Sequence, residues 1–163
     1  MEMLCEYLQP SVYASGTYVF AAPLGDGAVP LIHLDDLGAY ALWILDNPSN
    51  SSGMDLEVAT EHVAWDDLAK TFTGSTGKLA KYKSVTMEEN FDSAPIAGSS
   101  NEKLRHSADK ADRTLMTYGD NFTGFWNMCK ASGQNQGLIT RDYALLNKIL
   151  PLRVKNVGEW MKK

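Results

Sequence analysis

No run in this chain comes near the roughly 20 consecutive apolar residues that a bilayer-crossing helix requires, so no membrane partner is expected. Basic residues are scarce: 15 lysines and arginines face 20 aspartates and glutamates, for a net charge of -5 and a pI near 5.1. Without a basic surplus to neutralise phosphates, nucleic acid is not an expected partner either. Cysteine is rarer still. Cys5 and Cys129 lie far apart with no ligand-like neighbours, which argues against a metal site or a disulfide framework and for reduced, buried thiols in a cytoplasmic protein. The opening M-E-M-L-C-E-Y-L has two acids and no basic region, so it does not read as a secretory signal. The sequons at Asn50-Ser51-Ser52 and Asn121-Phe122-Thr123 are accordingly taken as chance matches.

Catalytic motifs are missing as well. No G-x-G-x-x-G occurs, and Gly25-Asp26-Gly27 belongs to a turn with Pro30 where a helix would have to begin. Thr73 to Lys78, T-G-S-T-G-K, has the wrong spacing for a phosphate-binding P-loop and reads as a helix end followed by a loop. There is no Tyr-x-x-x-Lys pair, no G-x-S-x-G elbow and no H-E-x-x-H helix. The chain therefore has no recognisable machinery for cradling a dinucleotide or making a nucleophile.

What is present is a chain of 163 residues, 44% hydrophobic and 21% charged, enough for one domain over 1–163 with its own core. Its organising stretch is Pro30 to Pro48, read as a strand running into a helix. Asp35 or Asp36 is expected to cap that helix, with Leu37, Tyr40, Ala41, Ile44 and Leu45 on its inner face. Gly38 suggests a close backbone neighbour, and Asn47-Pro48 stops the helix. Thr17 to Ala22 and Val29 to Leu34 read as a hairpin, or a closely related β connection, around Asp26-Gly27. Met54 to Ala59 reads as a strand, and Trp65 to Phe72 as a helix that lacks a capping side chain at Ala64 and ends at Gly74. Ala80 to Val85 is a further strand, and Thr86 and Glu89 have capping-box spacing. Residues 92–110 read as a mobile loop. Helices follow over 121–130, 140–150 and 156–163. Short strands alternating with helices, then a helical last third, give an α/β (α+β) fold class.

Candidate chemistry is thin. His33, between Leu31-Ile32 and two acids, is the candidate proton donor, with Asp36 to orient it. The competing reading is a strand histidine beside a helix start. His62 reads as structural and His106 as solvated. Tyr7 and Tyr18 are candidate ring-stacking walls of an apolar cleft, joined by Tyr13, Trp65, Trp126 and Tyr118, against the plain alternative that they are core.

The central stretch, together with T-Y-V-F-A-A-P-L-G-D-G, L-E-V-A-T-E-H-V-A-W-D-D-L-A-K-T-F and R-D-Y-A-L-L-N-K-I-L-P-L-R-V-K-N-V-G-E-W-M-K-K, resembles the NmrA-like family, atypical short-chain dehydrogenases/reductases. The similarity is to the C-terminal part of such proteins. Family members begin with a Rossmann half whose glycine-rich loop binds NADP, and no residues here match it. The resemblance implies a substrate-binding lobe, with His33 to Leu37 at a strand-to-helix junction near the ligand cleft. It implies a small aromatic or polyketide-type metabolite, bound without a cofactor or turned over by isomerisation, dehydration or cyclisation. NADP enters only if a separate Rossmann half supplies it, as in a fragment or subunit of an NADP-dependent oxidoreductase. The third reading is a regulatory or interaction module. A face left uncovered by a missing Rossmann half implies a homo-oligomer, a dimer first, or a covering partner protein.

Overall fold

The computed structural model describes residues 1–5, 8–93, 98–104 and 111–162. The first element is a 3-10 turn, Glu2–Cys5, and it buries Leu4. A short strand β1 (Ser11–Val12) turns back through Gly16, at φ +77°, into β2 (Tyr18–Ala22). β2 is the central strand of a three-stranded sheet, antiparallel to β1 and parallel to a later strand from Tyr18↔Ala80 to Ala22↔Ser84.

The chain leaves β2 through a glycine turn and enters β3 (Val29–Leu31). The expected hairpin between these two runs does not form. β3 pairs instead with β4 (Glu61–Val63) in a separate antiparallel sheet, Val29 opposite Val63 and Leu31 opposite Glu61. The turn is committed elsewhere: a Cβ on Gly27 would stand 2.5 Å from Lys130 Cα and 2.6 Å from the Cys129 carbonyl. Ala28 gives its amide to Ser132 Oγ at 3.0 Å and accepts from the same hydroxyl at 2.7 Å. The strand expected over Met54 to Ala59 is irregular, and the extended segment begins only at Glu61.

Between β3 and β4 run α1 (Leu34–Asp46) and the single turn α2 (Pro48–Ser51), so Pro48 does end the first helix. Neither Asp35 nor Asp36 caps α1. His33 holds the cap position in an extended conformation, with no side-chain cap bond. The inner face is also phased differently from the expected one. Asp36 and Tyr40 are buried, whereas Leu37, Ala41, Ile44 and Leu45 are exposed. α1 is apolar nearly all round, so periodicity alone could not select the phase. Gly38 has no close neighbour, and a Cβ there would meet nothing within 4 Å.

α3 (Trp65–Thr76) starts at Ala64 without a side-chain cap, as expected, but it runs on past Gly74 and ends at Gly77, at φ +70°. Its buried face, Trp65, Leu68 and Ala69, lies on the main sheet, whose third strand is β5 (Ala80–Ser84). α4 (Met87–Ser93) opens with the expected capping box, Glu89 N to Thr86 Oγ1 at 3.1 Å and Thr86 N to Glu89 Oε2 at 2.7 Å. Much of the loop expected over 92–110 lies outside the described residues. Its described part is tied back, with Tyr118 N donating to the Glu102 carbonyl at 2.9 Å. α5 (Tyr118–Lys130) begins three residues earlier than expected, because Thr117 and Asp120 form a second capping box. α6 (Tyr143–Ile149) and α7 (Val157–Trp160) are capped by Asp142 and Asn156 and are shorter than expected. One core joins Phe20, Leu24, Val29, Val63, Leu68, Trp126 and Val157, and the fold is α+β. Among the described residues no helix is long and apolar enough to cross a membrane.

Candidate functional site

The site is built where α3 crosses β2. Phe72 and Phe20 meet edge to face with centroids 5.5 Å apart, and Tyr18 tilts against Phe72 at 5.0 Å. Leu4 and Cys5 from the first turn, Pro10, Thr76, Trp160 and Met161 close the rest of an apolar cleft of about 310 Å³. That volume is at the lower end of small-molecule sites and suits one or two rings. The Thr76 hydroxyl is occupied, donating to the Phe72 carbonyl at 2.7 Å and accepting from Lys78 N at 3.2 Å. Among the described residues no charged side chain lines the cleft, so those walls select by shape and apolar contact.

The residues singled out in the sequence are not gathered there. Tyr18 borders the cleft through Phe72, and its hydroxyl accepts from Lys78 Nζ at 3.2 Å. Tyr13 is exposed, with Lys81 Nζ 5.7 Å from its ring centroid. Trp65 and Trp126 are buried and pack on each other at 5.9 Å in the core, away from the cleft lining. Tyr118 is the first residue of α5. Tyr7 and His106 lie outside the described residues. Phe72 and Trp160, which do line the cleft, are not among the candidates singled out in the sequence. A wall residue and a core residue have the same chemistry, and only the gap beside one of them tells them apart.

His33 and Asp36 share the start of α1 but are engaged separately. His33 Nδ1 meets Glu2 Oε1 at 2.8 Å, and Asp35 Oδ2 stands 3.3 Å from Nε2 without hydrogen-bond alignment. Glu2 has its carboxyl held down to about 2: hydrogen bonds from the terminal ammonium, its own backbone, His33 and Leu34 outweigh the opposing desolvation. The Asp36 carboxylate accepts from Val154 N at 3.0 Å, fastening α1 to the C-terminal segment. Neither residue lines the apolar cleft.

The glycine turn after β2 does not form a cradle for a pyrophosphate. The one G-x-G turn, Gly25 to Gly27, follows β2, but Gly27 is closed against the end of α5 and leads into a strand rather than a helix N-terminus. Among the described residues no group of three or more His, Cys, Asp or Glu is placed to hold a metal ion. The molecule is thus an α+β domain with an open apolar cleft between its sheet and its helices. Compared with protein-family models, the chain matches the NmrA-like family over residues 2–133, and it belongs to that family. The match does not extend over the closing stretch 141–163. No curated protein is close enough to match it.

Proposed function

We propose that this NmrA-like chain binds a small, largely apolar, ring-bearing metabolite of aromatic or polyketide type in the cleft between Phe20, Phe72 and Trp160, without NADP. The observation that carries the reading is the lining itself: three aromatic rings, aliphatic side chains and, among the described residues, no ionised group around about 310 Å³. Binding rather than turnover is the reading, because the described lining has no carboxylate, imidazole or amine for isomerisation, dehydration or cyclisation. The test is an amide and indole NMR titration of the full chain with 1-naphthol. Shifts clustered at Phe72, Thr76 and Trp160, with affinity weakened about tenfold in Trp160→Ala, are expected. Shifts confined to other surfaces, or none, would refute the reading.

A second reading, association through a protein surface, is favoured by α1. Leu34, Leu37, Leu42 and Leu45 are exposed, Leu45 at 76%, and they share an outer side with Gly38 and Ala41 that carries no charge. Small residues between leucines let a second helix approach closely, and a copy of the same helix presents the same relief. The proposed occupant is a second copy of this chain.

A further inference from the structure

β4, α6 and the segment joining α6 to α7 border a second, open cleft of about 370 Å³, of different character, lined by Thr60, Glu61, Tyr143, Asn147, Arg153 and Lys155. Arg153 is only 5% exposed. Its Nε donates to Asn147 Oδ1 at 2.9 Å, and its Nη1 donates to the carbonyls of Thr60 at 2.8 Å and Val154 at 3.0 Å. The guanidinium sits 5.6 Å from the Tyr143 ring centroid. These bonds account for Nε and Nη1, whereas Nη2 donates to none of the described residues.

The half-buried Lys155 brings a second cation to the same place. Its Nζ donates to Asn147 Oδ1, the oxygen that Arg153 already uses, at 3.1 Å, and to the Pro151 carbonyl at 2.7 Å. Neither cation has a described carboxylate oxygen within 4.0 Å. Buried charges are normally paired, and two like charges gathered on one amide oxygen repel each other. The lining holds one acid against these two cations: Glu61 feels the Arg153 charge, but its Oε2 accepts from Val157 N at 2.9 Å, and burial raises its pKa above the ordinary carboxylate value. Beside them the Tyr143 hydroxyl lies 2.6 Å from His62 Nδ1. In a chain of net charge -5, two cations and one carboxylate leave this cleft with more positive than negative charge.

We infer that this cleft binds a small oxyanion group, a carboxylate or a phosphate, between Arg153 Nη2 and Lys155 Nζ. One guanidinium nitrogen and an ammonium lining the same cleft are charged donors of the kind such groups take. The site shares no residue with the apolar cleft, so the two proposals stand or fall separately.

The experiment titrates the full chain with sodium phosphate and, separately, sodium acetate, at constant ionic strength set by sodium chloride, following backbone amides by NMR. Saturable shifts at Thr60, Asn147 and Lys155 are expected with at least one anion. Phosphate alone would identify a phosphate site, acetate alone a carboxylate site. Lys155→Gln is expected to weaken binding at least fivefold while leaving the remaining amide spectrum in place, and Lys155→Arg to retain it. Absence of a saturable shift with either anion would overturn the inference. So would equal binding by Lys155→Gln, or failure of Lys155→Arg to bind while its spectrum stays native.

Discussion

Ser132 shows how much one side chain does in this molecule. Fully buried, its hydroxyl satisfies both the amide and the carbonyl of Ala28, 104 positions earlier, and so fixes the turn after β2 against the end of α5. Ser132→Ala leaves two buried polar groups unpaired and is expected to lower unfolding free energy by about 1–3 kcal/mol, read as a lower urea midpoint at unchanged m-value. Cys129, its neighbour, is packing only: burial pushes its thiol up to about 12. His62 has the opposite sensitivity, because burial first, and the Arg141 charge second, lower its pKa below 6.5. The unfolded chain then takes up that proton more readily, so the stabilisation from neutral His62 is complete above pH 6.5 and is lost as pH falls below it. Denaturant midpoints at pH 7.5 and 5.5 are expected to differ less in His62→Gln than in the parent chain.

Among the elements, α3 and α1 differ most from their local reading, and in different ways. In α3 two glycines stand three residues apart, and only the second takes a left-handed conformation, at φ +70°, while a Cβ on either would meet nothing within 4 Å. Gly74→Ala is therefore expected to raise stability by about 0.5–1 kcal/mol, through helix propensity and a less free unfolded chain. Gly77→Ala is expected to lower it by about 1 kcal/mol, through a strained cap. Thermal unfolding of the pair distinguishes the true end of the helix from the apparent one. In α1 the difference is one of phase. The helix is held by polar tethers, Asp36 to Val154 N and Tyr40 Oη to the Leu146 carbonyl at 3.1 Å, and its leucines are turned outward.

At the scale of the whole molecule, those leucines leave an apolar ridge on the surface of a chain with net charge -5. Self-association through that ridge is expected to give a dimer at micromolar concentration in light scattering, and Leu45→Glu a monomer of unchanged secondary structure. A monomeric parent chain would remove the second copy as occupant. The two clefts lie on different elements, one apolar around α3 and β2, the other cationic between β4 and α6.

Local signals alone determined the strand at Ala80–Ser84, the Thr86–Glu89 capping box, the stop at Pro48, the uncapped start of α3 and the α+β class. Each depends on residues only a few positions apart, so composition and spacing are sufficient to read it. The quoted stretches also carried the family resemblance that the match over 2–133 bears out. Tertiary structure decided which strand pairs with β3, where Asp36 points, which face of α1 is buried, and which aromatic rings border a cleft rather than fill the core. Those outcomes depend on partners such as Ser132 for Ala28, Leu146 for Tyr40 and Val154 for Asp36, separated by 104, 106 and 118 positions. No local pattern encodes such pairings, because the free energy of burying a side chain depends on what the rest of the chain places against it.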